Sequence, residues 1–319
     1  MKNAQGDLIM KKRTLGRSGI EIAPLVFGGN VLGWTADQAR SFELLDRFVE
    51  RGFNAIDTAD VYSAWAPGLN GGESETVLGQ WLARRGRRED IVLMTKVGMW
   101  EQRKGLSAAN IEVAVEDSLK RLGTDYVDVL FAHIDDDGVP LEETLTAFDK
   151  LVKAGKVRAL GASNYSAERL RRALEVSQEQ GVARYEVIQP LYNLHDREDF
   201  EHDLAALAQE QEVGVVSYFS LASGFLTGKY RSLEDVKGSA RADFLQGYFS
   251  ERGQRLLQEL LAVSDELSAR PAQVALAWLL SRPGVTAPIA SATSLAQLDE
   301  ILDAVALSLP EPVLTRLVI

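Results

Sequence analysis

Short apolar runs alternate with longer amphipathic segments along nearly the whole chain. The runs fall at residues 24–27, 53–57, 91–97, 126–132, 157–162, 186–189, 213–218 and 285–290, with the length and composition of strands buried on both faces. Between them, residues 36–51, 74–85, 107–121, 141–154, 166–179, 200–210, 254–281 and 294–306 carry apolar positions at helical spacing. Ser107 and Ser166 stand where helix N-caps are expected, and Gly181 follows the last apolar position of its helix. Eight strand-helix units in strict alternation predict a parallel sheet closed into a (β/α)8 TIM barrel. Ahead of it, two short alternating segments around Gly16-Arg17-Ser18-Gly19 predict an N-terminal β-hairpin over residues 8–22. No linker or shift in composition divides the chain, which predicts one domain over residues 1–319. Residues 219–253 are too long for an ordinary connection and predict a long binding loop or lid after the seventh strand.

An open doubly wound sheet is the competing architecture. Gly28-Gly29-Asn30-Val31-Leu32-Gly33 follows the first barrel strand and Asp57 closes the second, but the glycines miss the G-x-G-x-x-G spacing of a dinucleotide fingerprint. In a barrel, the carboxyl ends of the strands meet at one mouth. The residues closing the strands here are Asp57, Lys96, His133, Ser163 with Asn164, Gln189, Tyr218, and Ser291 with Thr293, while Tyr62 lies just beyond Asp57. Alone, Asp57 reads as a turn cap and Tyr62 as a packing residue. A carboxylate, an ammonium and an imidazole on three successive strands form a more specific set.

A cation beside a phenol stabilises the phenolate, so Lys96 is expected to draw the pKa of Tyr62 down. Asp57 would keep Lys96 charged, and His133 would share the reacting oxygen. Together they describe a proton donor facing a carbonyl. No side chain supplies a hydride, so a nicotinamide is implied. Ser163, Asn164 and Gln189 carry groups suited to a carboxamide, and Tyr218 has a flat face for a ring.

Composition narrows the field. The chain has 319 residues, 46% of them hydrophobic and 25% charged, which is enough for a large core. Its formal charge of −11 disfavours nucleic acid and anionic membranes as partners. There is no cysteine and there are only three histidines, so no metal site is expected and the partner expected is a small molecule. The chain lacks a membrane-length apolar run and a signal-like N-terminus, and so reads as cytoplasmic. Nothing in it specifies an oligomeric state.

The chain resembles the aldo-keto reductase family from the hairpin to the last helix. The motifs that carry the resemblance are Asp57-Thr58-Ala59-Asp60-Val61-Tyr62, Thr95-Lys96, His133, Gly161-Ala162-Ser163-Asn164-Tyr165, Gln189-Pro190-Leu191-Tyr192-Asn193, Leu226-Thr227-Gly228-Lys229-Tyr230 and Gln297-Leu298-Asp299-Glu300. The resemblance implies reduction of an aldehyde or ketone to an alcohol, with Tyr62, Asp57, Lys96 and His133 as the catalytic tetrad and Tyr62 as the acid. It implies a cofactor held by Ser163, Asn164, Gln189, Tyr218, Phe219, Leu221, Gly224, Lys229, Arg241, Ser291, Thr293, Gln297 and Glu300, with Arg241 as a clamp. NADPH is the cofactor implied, and NADH stays open because Thr293 stands where many relatives carry a cation for the 2′-phosphate. A second departure is Tyr218-Phe219-Ser220-Leu221, where relatives read Tyr-Ser-Pro-Leu.

Trp34, Trp65 and Trp100 follow strands at the mouth and are candidates for walls of a substrate pocket. Trp81 and Trp278 lie at helical spacing among apolar residues and are expected in the core. His195 and His202 sit in a charged run and are expected in water. Asp135-Asp136-Asp137 reads as a capping or solvated turn. Two other functions fit the same residues: a Schiff-base lyase using Lys96, and a nucleotide-sensing regulatory subunit, a role that some members of the resembled family serve. The sequence stops soon after its last helix, at Leu317-Val318-Ile319, without the longer tail that covers the site in some members of the resembled family, and a more open pocket is expected.

Overall fold

The chain turns back on itself at Gly16 and Gly19, both in the left-handed region, and pairs β1 (Arg13–Thr14) with β2 (Glu21–Ile22) as an antiparallel hairpin. This is a computed structural model, and it describes residues 10–239 and 242–319. Arg241 and the first residues of the expected hairpin segment lie outside those described. A Cβ on Gly16 would fall 2.2 Å from the carbonyl oxygen of Glu186, so the hairpin can press against the barrel only with glycine there.

Eight parallel strands follow: β3 (Val26–Gly28), β4 (Ala55–Asp57), β5 (Val92–Val97), β6 (Val127–Ala132), β7 (Val157–Ser163), β8 (Tyr185–Gln189), β9 (Gly214–Ser217) and β10 (Val285–Ala290). They close in the order β10-β3-β4-β5-β6-β7-β8-β9. The closure is the (β/α)8 barrel that the alternation predicts. Nearly every strand residue is buried because each strand has side chains on both the inner and the helix-facing side. Val26, Ala55, Met94, Val129, Phe131, Val187, Val216 and Ala287 fill the interior, and Leu15, Ile20 and Ile22 of the hairpin segment join the same cluster. The hairpin thereby plugs the barrel.

The outer layer contains α1 (Gln38–Glu50), α2 (Glu73–Arg85), α3 (Ala108–Leu122), α4 (Leu141–Lys153), α5 (Ala167–Gln180) and α6 (Ala205–Glu210). Then come α7 (Leu233–Val236), α8 (Ala242–Leu245), α9 (Glu251–Glu266), α10 (Pro271–Ser281), α11 (Leu295–Asp303) and α12 (Glu311–Arg316). Ser107 and Ser166 accept from the amides of Asn110 and Arg169 at the starts of α3 and α5, and Gly181 ends α5 in the left-handed conformation. Trp81 and Trp278 are wholly buried between helices and sheet. No helix among the described residues is long and apolar enough to cross a membrane.

Two expectations need correction. The single helix expected over residues 254–281 is two, α9 and α10, broken at Ser268, whose φ is +51°. Proline at the first position of α10 lacks an amide hydrogen and forces Arg270 into an extended conformation, so the helix restarts there. His195 is also not in water: its side chain is only 14% exposed and its Nδ1 lies 2.9 Å from Asp196 Oδ1. Asp196 Oδ2 accepts from Asn193 and from the hydroxyl of Tyr248, and the Tyr248 ring stacks on Phe225. The loop after β8 is thus fastened to the long segment after β9. The sequence showed only a run of charges at His195, and the ring packed on it at 4.9 Å is that of Tyr248, whose hydroxyl bonds Asp196 across 52 residues of chain. His202 is exposed as expected.

Candidate active site

Asp57 is the last residue of β4 and Lys96 lies near the end of neighbouring β5, so parallel pairing brings their side chains to the same mouth. Beyond Asp57 the chain stays stitched to β5: Thr58 N–H donates to Met94 O at 2.9 Å and Asp60 N–H to Lys96 O at 3.2 Å. Two tight turns then swing Tyr62 back over the strand ends, with Ser63 in the left-handed region. The Lys96 ammonium donates to Asp57 Oδ2 at 2.7 Å, to Thr58 O at 2.8 Å and to the Tyr62 hydroxyl at 2.7 Å. Those three contacts use all its donors. The Tyr62 hydroxyl lies 3.1 Å from the same Asp57 oxygen.

Lys96 is fully buried and Asp57 nearly so. Burial lowers the Lys96 pKa, while Asp57 first, then Asp60 and Glu75, oppose that. For Tyr62 the expectation of a lowered pKa fails. Burial first, then the charge of Asp57 and its hydrogen bond, raise it well above 10. The reason is that Asp57 sits within hydrogen-bond distance of both groups and repels a phenolate as directly as Lys96 attracts one. The resting phenol is protonated, as a proton donor must be.

His133 continues from the end of β6, its amide bonded to Val97 O at 2.9 Å. Its ring lies 6.1 Å from that of Tyr62, edge to face. Burial, then Lys96, lower its pKa well below 6.5. Nδ1 is buried and has no hydrogen-bond partner among the described residues. The imidazole is neutral at physiological pH.

Next to this group stand Ser163, Asn164 and Gln189. Ser163 Oγ donates to Gln189 O at 2.9 Å, and Asn164 Nδ2 donates to His133 O at 2.8 Å. Asn164 adopts φ +59°, a conformation asparagine tolerates better than most residues. The Gln189 amide donates to Asp57 Oδ1 at 2.9 Å. Tyr218 closes the set, its hydroxyl 2.8 Å from Asn164 Oδ1.

The remaining candidates form separate clusters along the mouth. Phe219 has φ +52° and is 41% exposed, with its ring 5.3 Å from Tyr218 and 6.2 Å from Phe244. Leu221 and Gly224 follow in a turn where Ala222, Ser223 and Gly224 all have positive φ, and the Lys229 ammonium lies over the Tyr230 ring at 4.5 Å. Across the mouth, Ser291 Oγ donates to Asn30 Oδ1 at 2.6 Å. Gln297 Oε1 accepts from both the amide and the hydroxyl of Thr293, each at 3.0 Å. Glu300 is half-buried on α11, and its carbonyl accepts from Gln273.

Trp34, Trp65 and Tyr62 form a chain of rings, 5.6 Å and then 5.8 Å between centroids. Trp100 does not join it. Its indole donates to Asn70 O at 2.9 Å and its ring lies beneath Arg121, which makes it a prop for the loop before α2. Asp136 accepts from the amides of Leu106 and Gly138, and Asp135 pairs with Arg169. Sequence reasoning missed Asp60, Glu75 and Arg121, which are ionisable and lie close behind the Lys96 network. Asp60 stands within the motif Asp57-Thr58-Ala59-Asp60-Val61-Tyr62, but no periodicity reveals the burial of a loop carboxyl.

The resting residues fit a nicotinamide. Amide and hydroxyl groups able to bond a carboxamide lie beside a phenol face and next to a proton donor.

A family model described as the aldo/keto reductase family matches residues 24–318. The chain is 33% identical over 319 residues to "Uncharacterized oxidoreductase YrpG" of Bacillus subtilis, covering 97% of this chain and 95% of that protein. It is 33% identical over 311 residues to a "Probable voltage-gated potassium channel subunit beta" of Arabidopsis thaliana, covering 93% and 91%. It is 67% identical over 90 residues to an "Uncharacterized 11.2 kDa protein in crtE 3'region" of Pseudescherichia vulneris, covering 28% of this chain and 87% of that protein.

Proposed function

The chain belongs to the aldo/keto reductase family, and we propose that it reduces an aldehyde or ketone to an alcohol, with NADPH as the reductant and Tyr62 as the proton donor. The observation that carries this reading is the pair of 2.7 Å contacts from the Lys96 ammonium, one to Asp57 and one to the Tyr62 hydroxyl. A nicotinamide dinucleotide bound at the mouth supplies the hydride.

Ser163, Asn164 and Gln189 hold the carboxamide and the Tyr218 face supports the ring. The carbonyl oxygen sits between the Tyr62 hydroxyl and the neutral His133 ring, so both polarise it. As negative charge develops on that oxygen, Tyr62 gives up its proton, and the adjacent ammonium offsets the charge left on the phenolate. Asp57 keeps Lys96 charged and aimed. Proton donation of this kind is worth roughly 10² to 10⁴ in rate. Trp34 and Trp65 wall the substrate side of Tyr62.

Two other readings compete. A Schiff base on Lys96 requires a neutral amine free of partners, whereas this amine is engaged by three acceptors in the resting state. A regulatory-subunit role is favoured by the likeness to the Arabidopsis thaliana potassium channel subunit beta. A complete set of proton-transfer residues favours turnover. The test is a fluorescence titration with NADPH and NADH, followed by a panel of carbonyls with whichever binds. Carbonyl-dependent oxidation of the cofactor supports the reading. Tight nucleotide binding with no turnover on any carbonyl overturns it in favour of the regulatory subunit.

A further inference from the structure

The turn that carries Tyr62 also buries a carboxyl that the chemistry above does not use. Asp60 is wholly buried, and among the described residues neither of its carboxyl oxygens has a hydrogen-bond partner. Its backbone is tied to Lys96, whose carbonyl accepts the Asp60 amide. Three residues on, Ser63 is also wholly buried, has φ +81° and leaves its hydroxyl unpartnered. Two unsatisfied polar side chains on one short turn are unusual, because native proteins pair nearly all such groups.

Charged groups face Asp60 from three elements. Glu75 on α2 is itself buried and accepts from Thr95 Oγ1 at 2.5 Å and from Arg121 Nε at 2.7 Å. Arg121 comes from α3 and Lys96 from β5, and behind Lys96 stand Asp57 and Tyr62. An unpaired anion in this setting loses its hydration and meets Glu75, and a neutral acid avoids both costs. Burial first, then Glu75, push the Asp60 pKa up to about 8, against smaller opposing effects of Arg121, of the neighbouring Val61 N–H dipole, which makes no full hydrogen bond to the carboxyl, and of Lys96. Asp60 in turn helps Lys96 keep its proton.

We propose that Asp60 is a positioning residue, a buried carboxylic acid that is neutral in the resting protein and whose ionisation holds Lys96 charged against Tyr62. The proposal rests on the reading of Tyr62 and Lys96 as the proton-transfer pair. On ionisation the carboxyl O–H bond breaks, the proton passes to solvent and the electron pair stays on the carboxylate. The new anion faces an ammonium whose pKa burial has lowered. The alkaline loss of Lys96 charge is thereby delayed, by about one pH unit for a like-sized interaction in a protein interior.

Difference infrared spectroscopy of the full chain, titrated from neutral to alkaline pH without cofactor or substrate, tests the first half independently of turnover. The expected result is a carbonyl band of a neutral buried acid that disappears with a midpoint near 8 and is missing in Asp60→Asn. In Glu75→Gln the midpoint should fall, because the repelling charge is gone. The pH profile of kcat/KM tests the second half: its alkaline limb should move about one unit lower in Asp60→Asn. A neutral-pH spectrum with no band assignable to Asp60 overturns the proposal, and so does an alkaline limb that superimposes on that of the unaltered chain. If Asp60→Asn does not fold, an unmoved midpoint in Glu75→Gln overturns it. None of these outcomes depends on which carbonyl is reduced. A chain that turns over no carbonyl while showing the band refutes the reductase reading and leaves the neutral acid standing.

Discussion

The side-chain amide of Gln189 donates to Asp57 Oδ1 at 2.9 Å, across 132 residues of chain. One carboxylate therefore serves three neighbours, Lys96 and Tyr62 through Oδ2 and Gln189 through Oδ1. Gln189→Ala should weaken nucleotide binding and also destabilise the fold, because it leaves a buried acceptor without its donor, at a cost of roughly 1–3 kcal/mol. Urea unfolding and a cofactor titration on the same variant check both effects. A loss of affinity with no change in stability would separate Gln189 from Asp57.

Lys96 and Asp57 form an ion pair out of contact with water. Lys96→Met is expected to cost about 3–5 kcal/mol, because it strands a buried carboxylate. The double variant Lys96→Met/Asp57→Asn should lose less than the sum of the single changes, since no charge is then left unpaired. Strict additivity in unfolding free energy would contradict the buried pair.

The pKa of His133 lies below its unfolded value of 6.5 because of burial and then Lys96. Below that pH the unfolded chain binds a proton that the native ring refuses, so the unfolded state is favoured as pH falls. This contribution to stability is present above about pH 6.5 and is lost on acidification towards the folded pKa. His133→Asn should flatten the fall in the urea midpoint over that range. An unchanged slope would show that other groups set it.

The barrel was legible because its information is local. Apolar runs of strand length, capping serines and Gly181 read correctly, and strand ends such as Asp57, Lys96 and Gln189 follow from the topology once the barrel is assumed. Other features were not legible. Ser268 and Pro271 break a helix whose apolar spacing runs through uninterrupted. His195 packs against Tyr248, a distant partner. The direction of the Tyr62 shift depends on how one Asp57 oxygen is shared between two groups, which only distances reveal.

The loop after β10 carries hydroxyls at Ser291 and Thr293 and no cation, and Gln297 already occupies the Thr293 amide and hydroxyl. A fixed charge-assisted contact to a phosphate is worth roughly 1.5–3 kcal/mol. Without one on this loop, NADPH should bind more tightly than NADH by less than about tenfold. Dissociation constants measured side by side settle this. A preference above about a hundredfold would require a cation reaching the 2′-phosphate from another segment.

The Tyr62 hydroxyl is the atom on which the reductase reading depends, and Tyr62→Phe removes it while keeping the ring that packs against Trp65. The decisive measurement compares carbonyl-dependent oxidation of the reduced cofactor, and cofactor affinity, in the two proteins. The expected result is a fall in kcat of roughly 10² to 10⁴ with an unchanged dissociation constant for the cofactor. A variant that turns over carbonyls at the original rate would contradict the assignment of Tyr62 as proton donor.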